Sequence, residues 1–121
     1  MPRASVTQIV AGFLAIAAAS CGDDATPLPC DVDAVLEAEC RRCHNAKLEF
    51  GAPMPLSSWE DTQATAVTDD SVLVWELMQD RVHGVGGLMP PPGVGSLSAA
   101  QLATLDAWFA AGAPAGDGEC P

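Results

Sequence analysis

Cysteine constrains this chain more than any other residue type, because five cysteines occupy a sequence of 121 residues and an odd number cannot all pair within one molecule. Their placement is uneven. Cys21 follows an apolar run, Cys30 and Cys120 stand alone, and Cys40 and Cys43 lie three apart with His44 directly behind. A chain of this length has room for one small domain plus a targeting segment. Sixteen acidic residues against five Lys and Arg give a formal charge of −11. With so few cations no stripe of Lys and Arg can form to neutralise phosphates, which argues against a nucleic-acid partner and against attraction to anionic lipid headgroups.

The N-terminal segment reads as an address. Met1 to Gln8 carries one cation, Arg3, and Ile9 to Ala19 is continuously apolar. That run is too short to span hydrocarbon, which needs about 20 residues, and it fits the apolar region of a secretory signal peptide. Ala18-Ala19-Ser20-Cys21 resembles the lipobox of bacterial lipoproteins, with Ala18 where Leu is usual. The expected organisation is a removed signal peptide over 1–20, a polar tether over 21–29 with Cys21 lipidated, and a single domain over 30–121. The product would be exported, periplasmic and anchored to a bacterial membrane, since a triacylated cysteine exceeds the two acyl chains that stable anchoring takes. Loss of residues 1–20, which hold Arg3 and no acid, takes the charge to −12.

The remainder predicts an all-α fold with long Gly/Pro-rich loops. Val32, Val35, Leu36, Cys40 and Cys43 recur at helical spacing, which predicts a helix over 31–44 with acids at its N-terminal end. Ser57 and Glu60 suggest a capping box opening a short helix. Asp70 or Ser71 can cap a further helix from about Val72 to Val82. Ser98 and Gln101 form a second capping box, with Leu97 and Leu102 as a hydrophobic staple and Leu105 and Phe109 on the same stripe, ended by Gly112 and Pro114. The segments 45–56 and 83–96 are loops, the latter carrying five glycines, three consecutive prolines and Met89. No stretch alternates with period two, and no internal repeat is visible. Trp59, Trp75 and Trp108 are expected in the core or against a bound group.

Cys40-Arg41-Arg42-Cys43-His44 matches the C-x-x-C-H attachment site of c-type haem. On a helix, positions three and four apart share a face, so two sulfurs and an imidazole can point the same way. The thiols would add to the two porphyrin vinyl groups, and His44 would become the proximal iron ligand. Two other chemistries use similar residues. A redox C-x-x-C of the thioredoxin kind normally follows a strand, which is not predicted here, and structural zinc would need a second ligand pair where only His83, Cys30 and Cys120 are available.

With these motifs the chain resembles the class I cytochrome c family over roughly Cys30 to Pro114, and more closely the small cytochrome c-like domains of myxobacterial and planctomycete lipoproteins. The resemblance rests on Cys40 to His44, Gly86-Gly87-Leu88, Met89-Pro90-Pro91 and the amphipathic segment Leu97 to Pro114. It implies N- and C-terminal helices crossing at the haem edge, one haem c per chain, and iron ligation by His44 and Met89. It also implies one-electron transfer with redox partner proteins rather than enzymatic catalysis. Met54, His83 and Met78 are the other side chains able to ligate iron. Because the first and last helices meet in that family, Cys30 and Cys120 would be brought together as a disulfide. Two further functions remain open: a five-coordinate haem sensor or peroxidase if Met89 does not bind, and a structural haem-bearing module of a larger redox complex. Arg41, Arg42 and Lys47 cluster at the attachment site, either as a solvated helix end or as a locally positive patch that orients a redox partner. Mass spectrometry of the membrane-derived protein should find residues 1–20 removed and acyl chains on Cys21. An unmodified Cys21 in the mature protein would contradict the anchor.

Overall fold

The computed structural model describes residues 25–121, so the expected signal peptide over 1–20, the expected lipidation site Cys21 and the start of the expected tether lie outside the described residues. Four helices follow one another: α1 (Cys30–Glu39), α2 (Trp59–Gln63), α3 (Val74–Val82) and α4 (Ala99–Ala110). Among the described residues extended pairing is confined to one antiparallel bridge, Thr65 with Leu73, so the all-α expectation holds. No described helix is long and apolar enough to cross a membrane.

α1 buries Val32, Val35 and Leu36 at three- and four-residue spacing and carries Asp31 and Asp33 in its first turn, where the helix dipole favours negative charge. It stops at Glu39, five residues before the end expected from periodicity. The carbonyl of Leu36 accepts both the Cys40 N–H and the Arg41 N–H, each at 2.9 Å, so the ladder closes on a wider turn. Arg41 then fixes the exit. Its Nη2 lies 2.6 Å from Asp33 Oδ1, its Nη1 3.1 Å from Glu37 Oε2, and its Nε donates to the Leu56 carbonyl at 2.8 Å.

The middle of the chain departs from expectation in frame. Ser58, not Ser57, caps α2: its hydroxyl accepts the Asp61 N–H, and Asp61 Oδ2 accepts the N–H groups of both Ser57 and Ser58. Two adjacent serines and two adjacent acids allow either frame, and the shorter Asp side chain takes the third position. α3 begins at Val74 rather than Val72, because Val72 and Leu73 are held against Ala64 to Ala66 by backbone bonds. Ser71 closes the intervening turn on Asp69 Oδ1, and the Leu73 N–H is capped by Glu76.

α4 has the predicted Ser98–Gln101 capping box. It ends in a Schellman turn, with Ala113 N–H on the Trp108 carbonyl and Gly112 N–H on the Phe109 carbonyl, and Gly112 takes the positive φ of +84° that this turn requires. α1 and α3 both pack on α4, and α2 packs on α3.

Two apolar cores result. The larger joins α1 to α4 through Leu28, Val32, Val35, Leu36, Leu105, Trp108 and Phe109; the smaller gathers Met54, Leu56, Ala66 and Val74. Cys40 and Met78 pack against both. The three tryptophans belong to the larger core rather than to a cavity wall: Trp75 stacks on Phe109, and Trp59 and Trp108 donate their indole N–H groups to the carbonyls of Ala113 and Pro114.

The two ends of the described chain lie together. Gly116 N–H donates to the Pro27 carbonyl at 2.7 Å, and a Cβ at Gly116 would collide with the Leu28 carbonyl. Cys30 and Cys120 form a disulfide across 90 residues, with Cα atoms 5.2 Å apart, as the resemblance implied. Replacing both by serine should cost roughly 2–5 kcal/mol, read as a lowered urea midpoint, and an unchanged midpoint would contradict a stabilising role. Arg41→Ala should cost about 1–2 kcal/mol through the lost Leu56 and Asp33 bonds. The Glu37 pair adds little because that carboxylate is 72% exposed. The same unfolding series checks it.

Candidate functional site

Past the end of α1 the chain makes one more helical turn on its own. His44 N–H returns to the Cys40 carbonyl at 3.0 Å and Cys43 N–H to the same carbonyl at 3.3 Å. The motif therefore sits on a turn and not within a continuous helix. The four-residue closure still places His44 one turn beyond Cys40.

The imidazole is fixed by a partner that the sequence did not announce. His44 Nδ1 lies 2.7 Å from the Met54 carbonyl. A carbonyl can only accept, so Nδ1 carries a proton, and in the neutral imidazole Nε2 is the nitrogen with the lone pair. That is the tautomer a metal ligand needs, held by an outer hydrogen bond of the kind that orients ligating histidines. The Leu56 N–H in turn donates to the His44 carbonyl at 2.8 Å, so the loop from Met54 to Leu56 and the motif hold each other.

Among the described residues Cys40 and Cys43 are free thiols, bonded neither to one another nor to Cys30 or Cys120. Burial, reinforced by the charge of Glu39, pushes the Cys40 thiol up to about 11. An attacking redox cysteine requires the opposite shift, toward thiolate, and among the described residues no strand precedes the motif, so Cys40 does not suit the thioredoxin-like alternative. Zinc fares no better. Among the described residues no three His, Cys, Asp or Glu side chains gather as a metal-binding group, and His83 Nε2 is occupied by Asp106 Oδ1 at 2.7 Å, tying the end of α3 to α4.

Between the two cores opens a cavity of about 540 Å³, within the roughly 300–1,000 Å³ range of ligand sites. Cys40, Cys43 and His44 line one part of it and Met89 with Pro90 another. Val74, Leu77, Met78 and Leu105 supply apolar wall, so members of both cores face the same space. Leu77, Val74 and Leu105 could have been found from helical spacing alone, but their shared direction is tertiary. Met54 also lines the cavity, yet its carbonyl holds His44, which places it on the histidine side. His83 does not line the cavity, so it is removed as a candidate ligand. Met78 is partly buried against both cores.

The three cations around the motif have different surroundings. Burial would lower the Arg41 pKa, but its hydrogen bonds to Asp33 and Glu37 outweigh that effect and raise it. Its charge is compensated internally. Arg42 and Lys47 are exposed, which leaves two of the three cations available to a solvent-facing patch.

A chain with these features can hold a flat, largely apolar group by two thiols, one oriented imidazole and one thioether. Comparison with protein-family models, with curated proteins and with solved structures gave no match.

Proposed function

We propose that this protein is a c-type cytochrome of the class I kind, exported and lipid-anchored through Cys21, that carries single electrons between redox partner proteins. The observation that carries the proposal is the convergence of Cys40, Cys43, His44 and Met89 on one apolar-walled cavity. Bound there, haem iron would supply one-electron redox chemistry. Cys40 and Cys43 would each add S–H across one vinyl double bond, sulfur to one carbon and hydrogen to the other, with no net oxidation. His44, whose Nδ1–H donates to the Met54 carbonyl, would offer Nε2 to the metal. Val74, Leu77 and Leu105 supply apolar wall that would exclude water from a bound group and so favour the less charged state of the site. Met89 completes the ligand set, a thioether whose softness raises the reduction potential relative to a second imidazole.

One observation supports a second reading. Met89 is 39% exposed, so a site with the sixth position open would serve as a five-coordinate sensor or peroxidase. The ferric spectrum of the purified mature protein separates the two. A methionine–iron charge-transfer band is expected, and Met89→Ala should abolish it while covalent haem is retained. Cys40→Ser with Cys43→Ser should lose covalent haem on a denaturing gel. Haem absent from the wild-type protein produced with an active maturation system overturns the proposal; haem present without the band favours the second reading.

A further inference from the structure

The loop that carries Met89 is organised by one residue, Arg81, in the last turn of α3. The Arg81 carbonyl accepts the Gly84 N–H at 3.1 Å and, across the whole glycine turn, the Met89 N–H at 2.9 Å. Its guanidinium Nη1 reaches the Val85 carbonyl at 2.9 Å, and the Val85 N–H returns to the Asp80 carbonyl at 2.9 Å. The chain is thereby wrapped around its own arginine. At Gly86 a φ of +75° favours glycine, and a Cβ there would push the Arg81 guanidinium out of its position.

The charge pattern sets Arg81 apart from Arg41. Arg41 pairs with Asp33 and Glu37, whereas the ion pairs among the described residues leave Arg81 without a carboxylate, in a chain with sixteen acids. Arg81 also lines the cavity. Its side chain bonds to the loop, and its main chain bonds to the backbone of Met89 itself.

We infer that Arg81 is the positioning residue for the sixth ligand: its carbonyl and guanidinium set the register of the loop so that the Met89 thioether is presented to the cavity, and Gly86 is the glycine this requires. The inference rests on the proposed haem ligation by Met89. Holding the loop before the ligand binds lowers the ordering cost of the axial bond. Without that hold, Met89 would compete less well with small external ligands.

The test uses the mature haem-loaded protein as wild type, Arg81→Ala, Arg81→Lys and Gly86→Ala. Two quantities are read: the methionine–iron charge-transfer band of the ferric form, and the affinity for added imidazole, which displaces the thioether. Arg81→Ala and Gly86→Ala should weaken the band and bind imidazole up to about tenfold more tightly, as loss of the one guanidinium bond to Val85 predicts. Arg81→Ala and Arg81→Lys both keep the main-chain acceptor; Arg81→Lys also keeps a cationic donor for the Val85 carbonyl and should fall between. If Arg81→Ala does not accumulate, Gly86→Ala decides on the same readouts, since it keeps Arg81 and only displaces its guanidinium from the Val85 carbonyl. A wild-type protein that lacks the band overturns the ligation and this inference with it. A wild-type band and imidazole affinity kept by both Arg81→Ala and Gly86→Ala overturn the inference alone.

Discussion

Leu36 in α1 and Leu105 in α4 are both wholly shielded from solvent, and the packing of their two helices supports every other element. Neither helix could persist alone. With ten and twelve residues they fall near or below the length at which isolated helices are marginal in water. Their shared apolar face, with Trp108 and Phe109 contributing the largest side chains, makes the larger core. α3 uses the same helix from another side, stacking Trp75 on Phe109. The Schellman turn after α4 then aims the Ala113 carbonyl at Trp59 and Gln63, so α2 is held by the end of the helix that also holds α1.

What this packing does not do is merge the two cores. The smaller one, around Leu56 and Val74, stands apart, and the apolar space between them is bordered by Cys40 and Met78. A domain of about 100 residues buries only about two thirds of its unfolded-chain surface. A cavity at the seam of two small cores is thus a costly feature unless something apolar fills it. The residues that border it are those whose chemistry would hold such a group. Fold and proposed cofactor are therefore linked: the seam between the two cores is also where Cys40, Cys43, His44 and Met89 border one cavity.

Local signals were legible from sequence where the physics is local. The Ser98–Gln101 capping box, the stop at Gly112 and the apolar stripe of α1 need only residues a few positions apart. The Ser57/Ser58 frame was ambiguous because both serines precede an acid at a usable distance. The early end of α1 was hidden, since it depends on Arg41 reaching Leu56, fifteen residues on. Periodicity carried the predicted helix through Cys43 because sulfur counts as apolar, although the backbone had already turned. The site was half visible in the same way. Cys40, Cys43 and His44 are contiguous and Met89 has a recognisable proline run, but the Met54 carbonyl has no side-chain signature, and the seam itself exists only after two distant segments have packed.

The bond between Cys30 and Cys120 makes residues 30–120 a closed ring of chain, joined at Cys30 to the segment before it. Its exposed loops, including the glycine-rich turn around Gly86 and the segment near the exposed Phe50, are the places where a protease would cut. A single cut in either would open the ring without dividing it, so both pieces would stay on one tether. For a protein expected to work outside the cytoplasm, where proteases are met and disulfides persist, the ring turns a scission that would release half of the cavity wall into one that leaves every wall residue attached.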